Sequence, residues 1–250
     1  MRRDTEWPGS SRVRGVDVRM GHLLSDCRRR TAYSYSVGVG RTLSTLMPRP
    51  RSLTQGQLAA AAVAVIDRDG LAALSMRTVA KELGMSPMGL YRYVADRDEL
   101  EGLVVEHVLG SVDATPPAAG APWQERIEIM AGRLRDGVAA HPEAVPLTVT
   151  HRHRSLAGLR WSETVLGILT EAGIDGGRRV VALRALHGYV TGAIQLEHLG
   201  PLAGEGTAVI AALPEDRFPH LTETARSAGG IGPDEEFFGG LRLLLRGLGD

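Results

Sequence analysis

Four helix-start signals between residues 54 and 96 constrain the fold of this chain more than any other sequence feature. Each signal is a Ser, Thr or Asp whose side chain can accept a hydrogen bond from the backbone N–H three residues further on. The capping residues are Thr54, Ser75, Ser86 and Asp96. The first three stand between apolar residues spaced as hydrophobic staples, which are Leu53 with Leu58, Leu74 with Val79, and Met85 with Leu90. The pattern predicts four short helices joined by short connections.

Glycine and proline positions indicate where these helices begin and end. The first helix is expected to stop at Gly70, and the second, over residues 76–83, at Gly84, because glycine readily adopts the backbone conformation that closes a helix. The third is expected to begin at Pro87, since proline suits the first helical position, and to run to about Val94.

The rest of the chain also has helical rather than strand-like patterning. Pro and Gly residues at 116–122 mark a break, and apolar residues recur beyond it at helical spacing. The predicted helices there are 123–140, 156–172, 177–198 and 234–248, with a short candidate at 221–227. No alternating strand pattern occurs. We therefore expect an all-α fold, with an N-terminal three-helix helix-turn-helix domain over residues 53–110 and a C-terminal helical bundle over residues 120–250.

The charge balance hides an uneven distribution. The chain has 29 basic and 29 acidic residues, so its net charge is zero, which argues against a protein that coats nucleic acid through its overall charge. Residues 1–52, however, contain 11 Arg and only 4 acidic residues. This segment has no sustained periodicity, and we expect a disordered basic arm. Met47 offers an alternative start just before the first domain, so whether residues 1–46 belong to the native protein stays open.

Two further features bear on where the protein acts. The longest uninterrupted apolar run, residues 58–66, is shorter than the roughly 18 residues of a membrane span, so we expect no membrane attachment. The single cysteine, Cys27, excludes an intrachain disulfide and fits a reducing compartment. We expect a cytoplasmic protein that needs no cofactor.

The connection between the second and third predicted helices points to a function. Two short helices separated by residues 84–86 are typical of a helix-turn-helix, whose second helix can enter the major groove of DNA. The residues expected on its exposed side are Pro87, Met88, Gly89, Tyr91, Arg92 and Tyr93. Arginine and tyrosine there suit contacts with base edges and phosphates. The alternative is a three-helix domain whose tyrosines cover its own core.

Residues 54–109 resemble the DNA-binding domain of tetracycline-repressor-type (TetR/AcrR) transcriptional regulators. The resemblance lies in the capped first helix, the Gly-Met-Ser turn at 84–86, the Leu-Tyr-Arg-Tyr sequence at 90–93 and the Asp-Arg-Asp-Glu-Leu sequence at 96–100. Residues 218–221 and 236–248 are similar, more loosely, to closing segments of the tetracycline repressor's ligand domain. The resemblance implies a homodimeric repressor, not an enzyme, that a small molecule releases from a palindromic operator.

The exposed face and the resemblance together give a set of predicted DNA contacts. They are Arg77, Thr78, Ser86, Pro87, Met88, Gly89, Tyr91, Arg92, Tyr93 and Arg97. Among them, the resemblance assigns phosphate contacts to Thr78, Ser86 and Arg97. Two positions depart from the family pattern: Met76 replaces a common hydroxyl residue, and Gly89 replaces a side chain that often reads a base. We also expect the basic arm, near Arg49 and Arg51, to add to DNA affinity.

The C-terminal half contains the predicted dimer interface and ligand pocket. The resemblance implies that helices near 177–198 and 234–248 pair across a two-fold axis, which fits a palindromic operator. Pocket candidates are aromatic or polar residues near an apolar helix face, namely Trp161, Arg184, His187, Tyr189, Thr191 and Gln195. His151 and His153 are additional candidates. The effector is unidentified, and we do not expect tetracycline.

Two other interpretations stay open. A DNA-binding module without an effector would show no response of DNA binding to any small molecule. A metal sensor or metal-dependent enzyme would use the histidines at 141, 151, 153, 187 and 198, but no Glu-x-x-His or His-Glu-x-x-His pattern accompanies them. A Gly-x-Ser-x-Gly sequence, typical of serine hydrolases, is also missing. We therefore predict neither a metal site nor catalytic residues.

Overall fold

The computed structural model describes residues 53–249, and all regular elements in that range are helical. The α-helices of this range are α1 (Gln55–Asp69), α2 (Met76–Glu82), α3 (Pro87–Leu90), α4 (Arg97–Leu109), α5 (Trp123–Val138), α6 (Val145–His151), α7 (Leu156–Glu171), α8 (Gly176–Leu199), α9 (Glu205–Ala211), α10 (Pro219–Ala228) and α11 (Pro233–Gly249). Short 3-10 turns occupy Leu71–Ala73, Pro142–Ala144 and Arg152–Arg154. The all-α prediction is confirmed for these residues, and the predicted arm, 1–52, lies outside them.

All four predicted caps form, which explains why α1 to α4 begin where they do. In each, the capping side-chain oxygen accepts a hydrogen bond from the N–H three residues on, at 2.8–3.2 Å. The caps are Thr54, Ser75, Ser86 and Asp96. Such a cap stabilises a helix by about 1 kcal/mol.

Helix α3 is shorter than predicted, since it ends at Leu90 and not at Val94. The N–H groups of Arg92 and Tyr93 bond to carbonyls three residues back, at 3.4 and 2.9 Å, so the chain tightens into a turn. Val94 is 2% exposed and enters the core, and Asp96 adopts the extended backbone that caps α4. The chain must therefore leave the helix soon after Leu90.

The N-terminal helices pack around apolar side chains, to which the predicted staples contribute, in a core that continues into the second half of the chain. Leu58, Leu74, Val79 and Leu90 have no exposed surface. Helix α4 packs across α1 on one side and also contacts α5, α6 and α7. The same helix therefore belongs to the core of the N-terminal domain and to the packing of the second half.

The second half is a bundle whose core lies among α5, α7, α8 and α11. Met130, Trp161, Ile168, Leu186 and Phe237 are buried there. The helices predicted for this half occur within two residues of their expected bounds. Helices α6 and α9 were not predicted, because seven residues are too few to display a repeating apolar face. Within the described range, no helix is long and apolar enough to cross a membrane.

Candidate nucleic-acid interface and ligand pocket

The helix-turn-helix presents a row of large side chains to solvent. The exposed residues among the predicted DNA contacts are Arg77, Ser86, Pro87, Met88, Tyr91, Arg92, Tyr93 and Arg97. Met88 is 75% exposed and Tyr91 is 48% exposed, although burial of side chains this large would be favourable. The tyrosines therefore do not serve mainly to cover the domain's own core. This surface has the basic and aromatic composition that suits a DNA groove.

The two hydroxyl groups predicted to contact phosphate have different surroundings. The Thr78 hydroxyl donates to the Ala73 carbonyl at 2.8 Å and accepts from the Ser75 N–H at 3.0 Å. Its single proton is therefore engaged in holding the start of α2. The Ser86 hydroxyl accepts from the Gly89 N–H at 3.1 Å, and its own proton can still be donated. Ser86 is the better placed of the two for a phosphate contact.

Two other predicted contacts are less available than the sequence suggested. Gly89 was expected on the exposed side but is buried, because it faces the inside of the turn. A Cβ atom there would lie 3.4 Å from Ser86 Oγ and 3.8 Å from Met85 Cε. Arg97 is exposed, yet its Nε lies 2.6 Å from a carboxylate oxygen of Glu101. A phosphate contact by Arg97 would have to replace this ion pair.

Polar contacts join the N-terminal helices to the second half of the chain. They include His141–Asp67, His151–Glu101 and the ion pair Arg154–Asp98. In the first two, a ring nitrogen lies 2.8 Å from a carboxylate oxygen. These histidines thus face carboxylates across the domain boundary. Among residues 53–249, no group of three or more His, Cys, Asp and Glu side chains is arranged to hold a metal ion.

A cavity lies between the C-terminal end of α4 and helices α5 to α8. Its empty space, counted together with the open solvent at its mouth, is about 460 Å³. Most of its wall is apolar and includes Leu109, Leu134, Val138, Val145, Trp161 and Ile194. Four polar side chains complete the lining: Thr148, Arg152, His187 and Thr191.

Trp161 and His187 form the aromatic part of the wall. Their ring centroids are 5.1 Å apart, with the ring planes tilted by 59°. The Trp161 indole N–H donates to the Met130 carbonyl at 2.8 Å, which fixes the ring. Burial, followed by the charges of Arg152 and Arg184, lowers the pKa of His187 to about 4. The imidazole is therefore neutral near pH 7 and can accept or donate a hydrogen bond.

A groove continues from the cavity toward solvent. It shares Thr148, Arg152, His187 and Thr191 with the cavity lining and adds Arg184. The guanidinium groups of Arg152 and Arg184 both act on the His187 ring. The cavity is therefore apolar inside and basic at this opening.

The structure brings together only some of the predicted pocket residues. Trp161, His187 and Thr191 line the cavity, and Arg184 lines the groove. Tyr189 faces α11 instead, where its hydroxyl donates to the Phe237 carbonyl at 2.6 Å. Tyr189 therefore does not line this cavity or the groove. The lining of the cavity and the groove does not include Gln195 either, because it lies on another side of α8.

Sequence reasoning missed Arg152, which lines both spaces. It lies between the two histidines that had been considered, of which His151 faces α4 and His153 is exposed. No sequence signal pointed to Arg152, because helix α6, whose end sets the direction of these side chains, is too short to show a repeating apolar face.

The helix-turn-helix exposes tyrosine and arginine, and one helix joins it to a bundle that contains a cavity. This combination is typical of transcriptional regulators whose DNA-binding and ligand-binding parts lie in the same polypeptide. The chain belongs to the TetR family: residues 58–100 match the profile described as bacterial regulatory proteins, tetR family, and residues 116–250 match the tetracyclin repressor-like C-terminal domain. The protein is accordingly a DNA-binding transcriptional regulator, as its sequence predicted.

Similar proteins include regulators with related tasks. The HTH-type transcriptional repressor DrrR1 of Streptomyces coeruleorubidus is 29% identical, over 87% of this chain and 88% of that protein. The structure of ActR from Streptomyces coelicolor in complex with (S)-DNPA is 28% identical, with a TM-score of 0.67, over 78% of this chain and 96% of that one. BioQ, in a structure with its double-stranded DNA operator, is 25% identical in sequence, with a TM-score of 0.56, over 79% of this chain and 98% of that one.

Proposed function

We propose that this protein is a homodimeric repressor, which binds a palindromic operator and is released from it by a small-molecule effector. The observation that carries the proposal is the course of α4. This helix begins with Arg97, just after the exposed tyrosines, and ends with Leu109 in the cavity wall. One rigid element thus reaches from the DNA-binding surface to the space where an effector would bind.

The packing around the end of α4 supports mechanical coupling. A Cβ atom on Gly137 would lie 2.5 Å from a methyl group of Val112, and one on Gly158 would lie 3.0 Å from a methyl group of Leu109. Because α5 and α7 approach this closely, an effector that fills the cavity must displace Leu109 or Val112. Such a ligand changes DNA affinity only if it binds the two arrangements of α4 with different affinity.

Exposed apolar residues support the dimer. Val180, Val181, Leu196 and Leu199 of α8 and Leu243 of α11 are each more than 60% exposed. An exposed apolar surface of this kind is typical of a protein–protein interface. Two copies related by a two-fold axis would place two α3 helices on successive half-sites of an operator.

The relatives support the same assignment. A similar protein is a repressor, another binds the small molecule (S)-DNPA, and a third binds a double-stranded operator. An effector and an operator for this chain follow by analogy of fold. A ligand-independent DNA-binding module is the second candidate, but the cavity against α4 favours the effector-responsive regulator.

The test begins with selection of bound sequences from random DNA, followed by competition with small molecules. Tyr91→Ala and Arg92→Ala should each weaken specific binding by at least about tenfold while leaving helicity and dimerisation intact. Arg160→Ala, which removes an exposed arginine on α7, is the matched control and should bind normally. Wild-type affinity in both of the first two variants would refute the assigned DNA surface. Failure of every compound to release the DNA would favour the ligand-independent module.

A further inference from the structure

We infer that the effector is a molecule with an apolar aromatic body and one anionic group, a carboxylate or phenolate, which Arg152 binds at the basic opening of the cavity. The inference rests on the proposed function, because it names the chemical class that the proposed effector site accepts. It depends on three independent features of the site: the composition of the wall, the position of Arg152 and the lack of compensating acidic groups.

The wall favours an aromatic body. Trp161 offers an indole face held in place by its hydrogen bond to Met130, and His187 stands beside it. Aromatic rings bind one another in offset or tilted arrangements, beyond the free energy gained by burying their area. The remaining inner wall, including Leu134 and Ile194, is aliphatic. This interior would accept a fused or substituted aromatic ring system and would desolvate a charged group at a high cost.

The cation at the opening is placed for an anion. Arg152 is half-buried and lines both the cavity and the groove. Within residues 53–249, no carboxylate lies within ion-pair distance of Arg152 or Arg184, although Arg154 is paired with Asp98. A guanidinium group binds a carboxylate through paired N–H donors, which are stronger than neutral hydrogen bonds.

The rest of the lining excludes the opposite charge. Among the described residues, no Asp or Glu lines the cavity or the groove. After burial, the charges of Arg152 and Arg184 contribute to lowering the pKa of His187, which lies between them. A cationic ligand would find no partner there and would be repelled by two guanidinium groups. The hydroxyl protons of Thr148 and Thr191 are donated to the Val145 and His187 carbonyls at 2.6 Å, so the anion depends on Arg152.

The experiment compares three probes of nearly equal shape, 2-naphthoate, 2-naphthamide and 2-naphthylmethylammonium, by calorimetry on the full-length protein. Naphthoate should bind at least about tenfold more tightly than the amide or the ammonium compound. Arg152→Gln should abolish this preference while changing the affinity for naphthamide little. Arg160→Gln, on the outer surface of α7, should preserve it. Trp161→Leu should weaken binding of all three probes together.

Equal or tighter binding of the amide or the ammonium compound to the wild-type protein would overturn the inference, and so would an unchanged preference in Arg152→Gln. Lack of naphthoate binding would overturn it as well. Release from the operator is measured separately with the same probes. If naphthoate binds through Arg152 but never affects operator binding, the ligand class stands and the proposed effector response fails. If only neutral or cationic compounds release the DNA, the response stands and the ligand class fails.

Discussion

The Nε2 atom of His151, at the end of α6, lies 2.8 Å from a carboxylate oxygen of Glu101 in α4. The other carboxylate oxygen of Glu101 accepts from Arg97 Nε at 2.6 Å. His151 is 8% exposed, so this contact is largely shielded from water. Glu101 therefore links the ligand-domain helix α6 to the residue that opens α4 beside the DNA-binding surface.

Removal of this carboxylate should loosen the contact between the two domains. Glu101→Ala should lower the free energy of unfolding by about 2 kcal/mol, because the His151 ring would lose its hydrogen-bond partner in a buried place. Glu101→Gln, which keeps an acceptor oxygen, should lose less. Urea unfolding measures both. Glu163→Ala, at an exposed position on α7, is the control, and a loss of equal size there would contradict the assigned role of Glu101.

His187 should make the stability of the protein depend on pH. Its pKa is about 4 in the folded protein and 6.5 in its ordinary environment, so the unfolded chain takes up a proton at higher pH than the folded one. His187 therefore makes its full contribution to the free energy of unfolding above pH 6.5. Up to about 3 kcal/mol of that free energy is lost as the pH falls to 4.

The comparison of wild type with His187→Gln isolates this effect from that of other titrating groups. Urea unfolding is followed across the range from about pH 7.5 to 4.5, and the difference between the two proteins should shrink or reverse as the pH falls. A difference that does not vary with pH would show that His187 keeps its ordinary pKa in the folded protein.

The salt dependence of operator binding should report which arginines contact phosphate. Each lost phosphate contact lowers the slope of log affinity against log salt by about 0.9. Arg77→Gln should do so directly, since Arg77 is exposed on α2. Arg97→Gln should have a similar or smaller effect, because a DNA phosphate must first replace Glu101 as the ionic partner of Arg97. Arg68→Gln removes a cation paired with Asp69 and Glu82 and should leave the slope unchanged.

Adjacent glycines of α11 should respond in opposite ways to a methyl group. A Cβ atom on Gly240 would collide with the Tyr189 hydroxyl, whereas one on Gly239 would meet no atom within 4 Å in the same chain. Gly240→Ala should therefore lower the free energy of unfolding by roughly 1–3 kcal/mol. Gly239→Ala should be neutral or stabilising by up to about 1 kcal/mol, because alanine favours the helix. Thermal unfolding distinguishes them, and equal losses would argue against close α8–α11 packing as the cause.

Much of the site geometry in the N-terminal domain was readable because its signals are local. A cap joins residues three apart and a staple joins residues five apart, so Ser75 with Thr78, or Leu74 with Val79, can be recognised without knowledge of the fold. The same locality has limits. Thr78 matched a phosphate-contacting position, and the structure shows that its hydroxyl is engaged with the Ala73 carbonyl.

The ligand pocket was less predictable because its residues come from different helices. Arg152 lies at the end of α6, a helix too short to show a period, while Tyr189 and His187 are two residues apart on α8 and face different neighbours. A helical turn of 3.6 residues rotates such side chains far apart, and only the packing of α8 against α7 and α11 decides which of them reaches the cavity.

The all-α fold, the starts of α1 to α4 and the family can be read from the sequence, because periodicity, caps and turn residues act over a few residues. Tertiary packing was needed to show that, among residues 53–249, no carboxylate pairs with Arg152 at the cavity opening, while Arg154 is paired with Asp98. The two arginines are only two residues apart in the sequence. Their separate surroundings arise from the distant segments that pack against them, and pairwise electrostatic contacts depend on that packing rather than on sequence spacing.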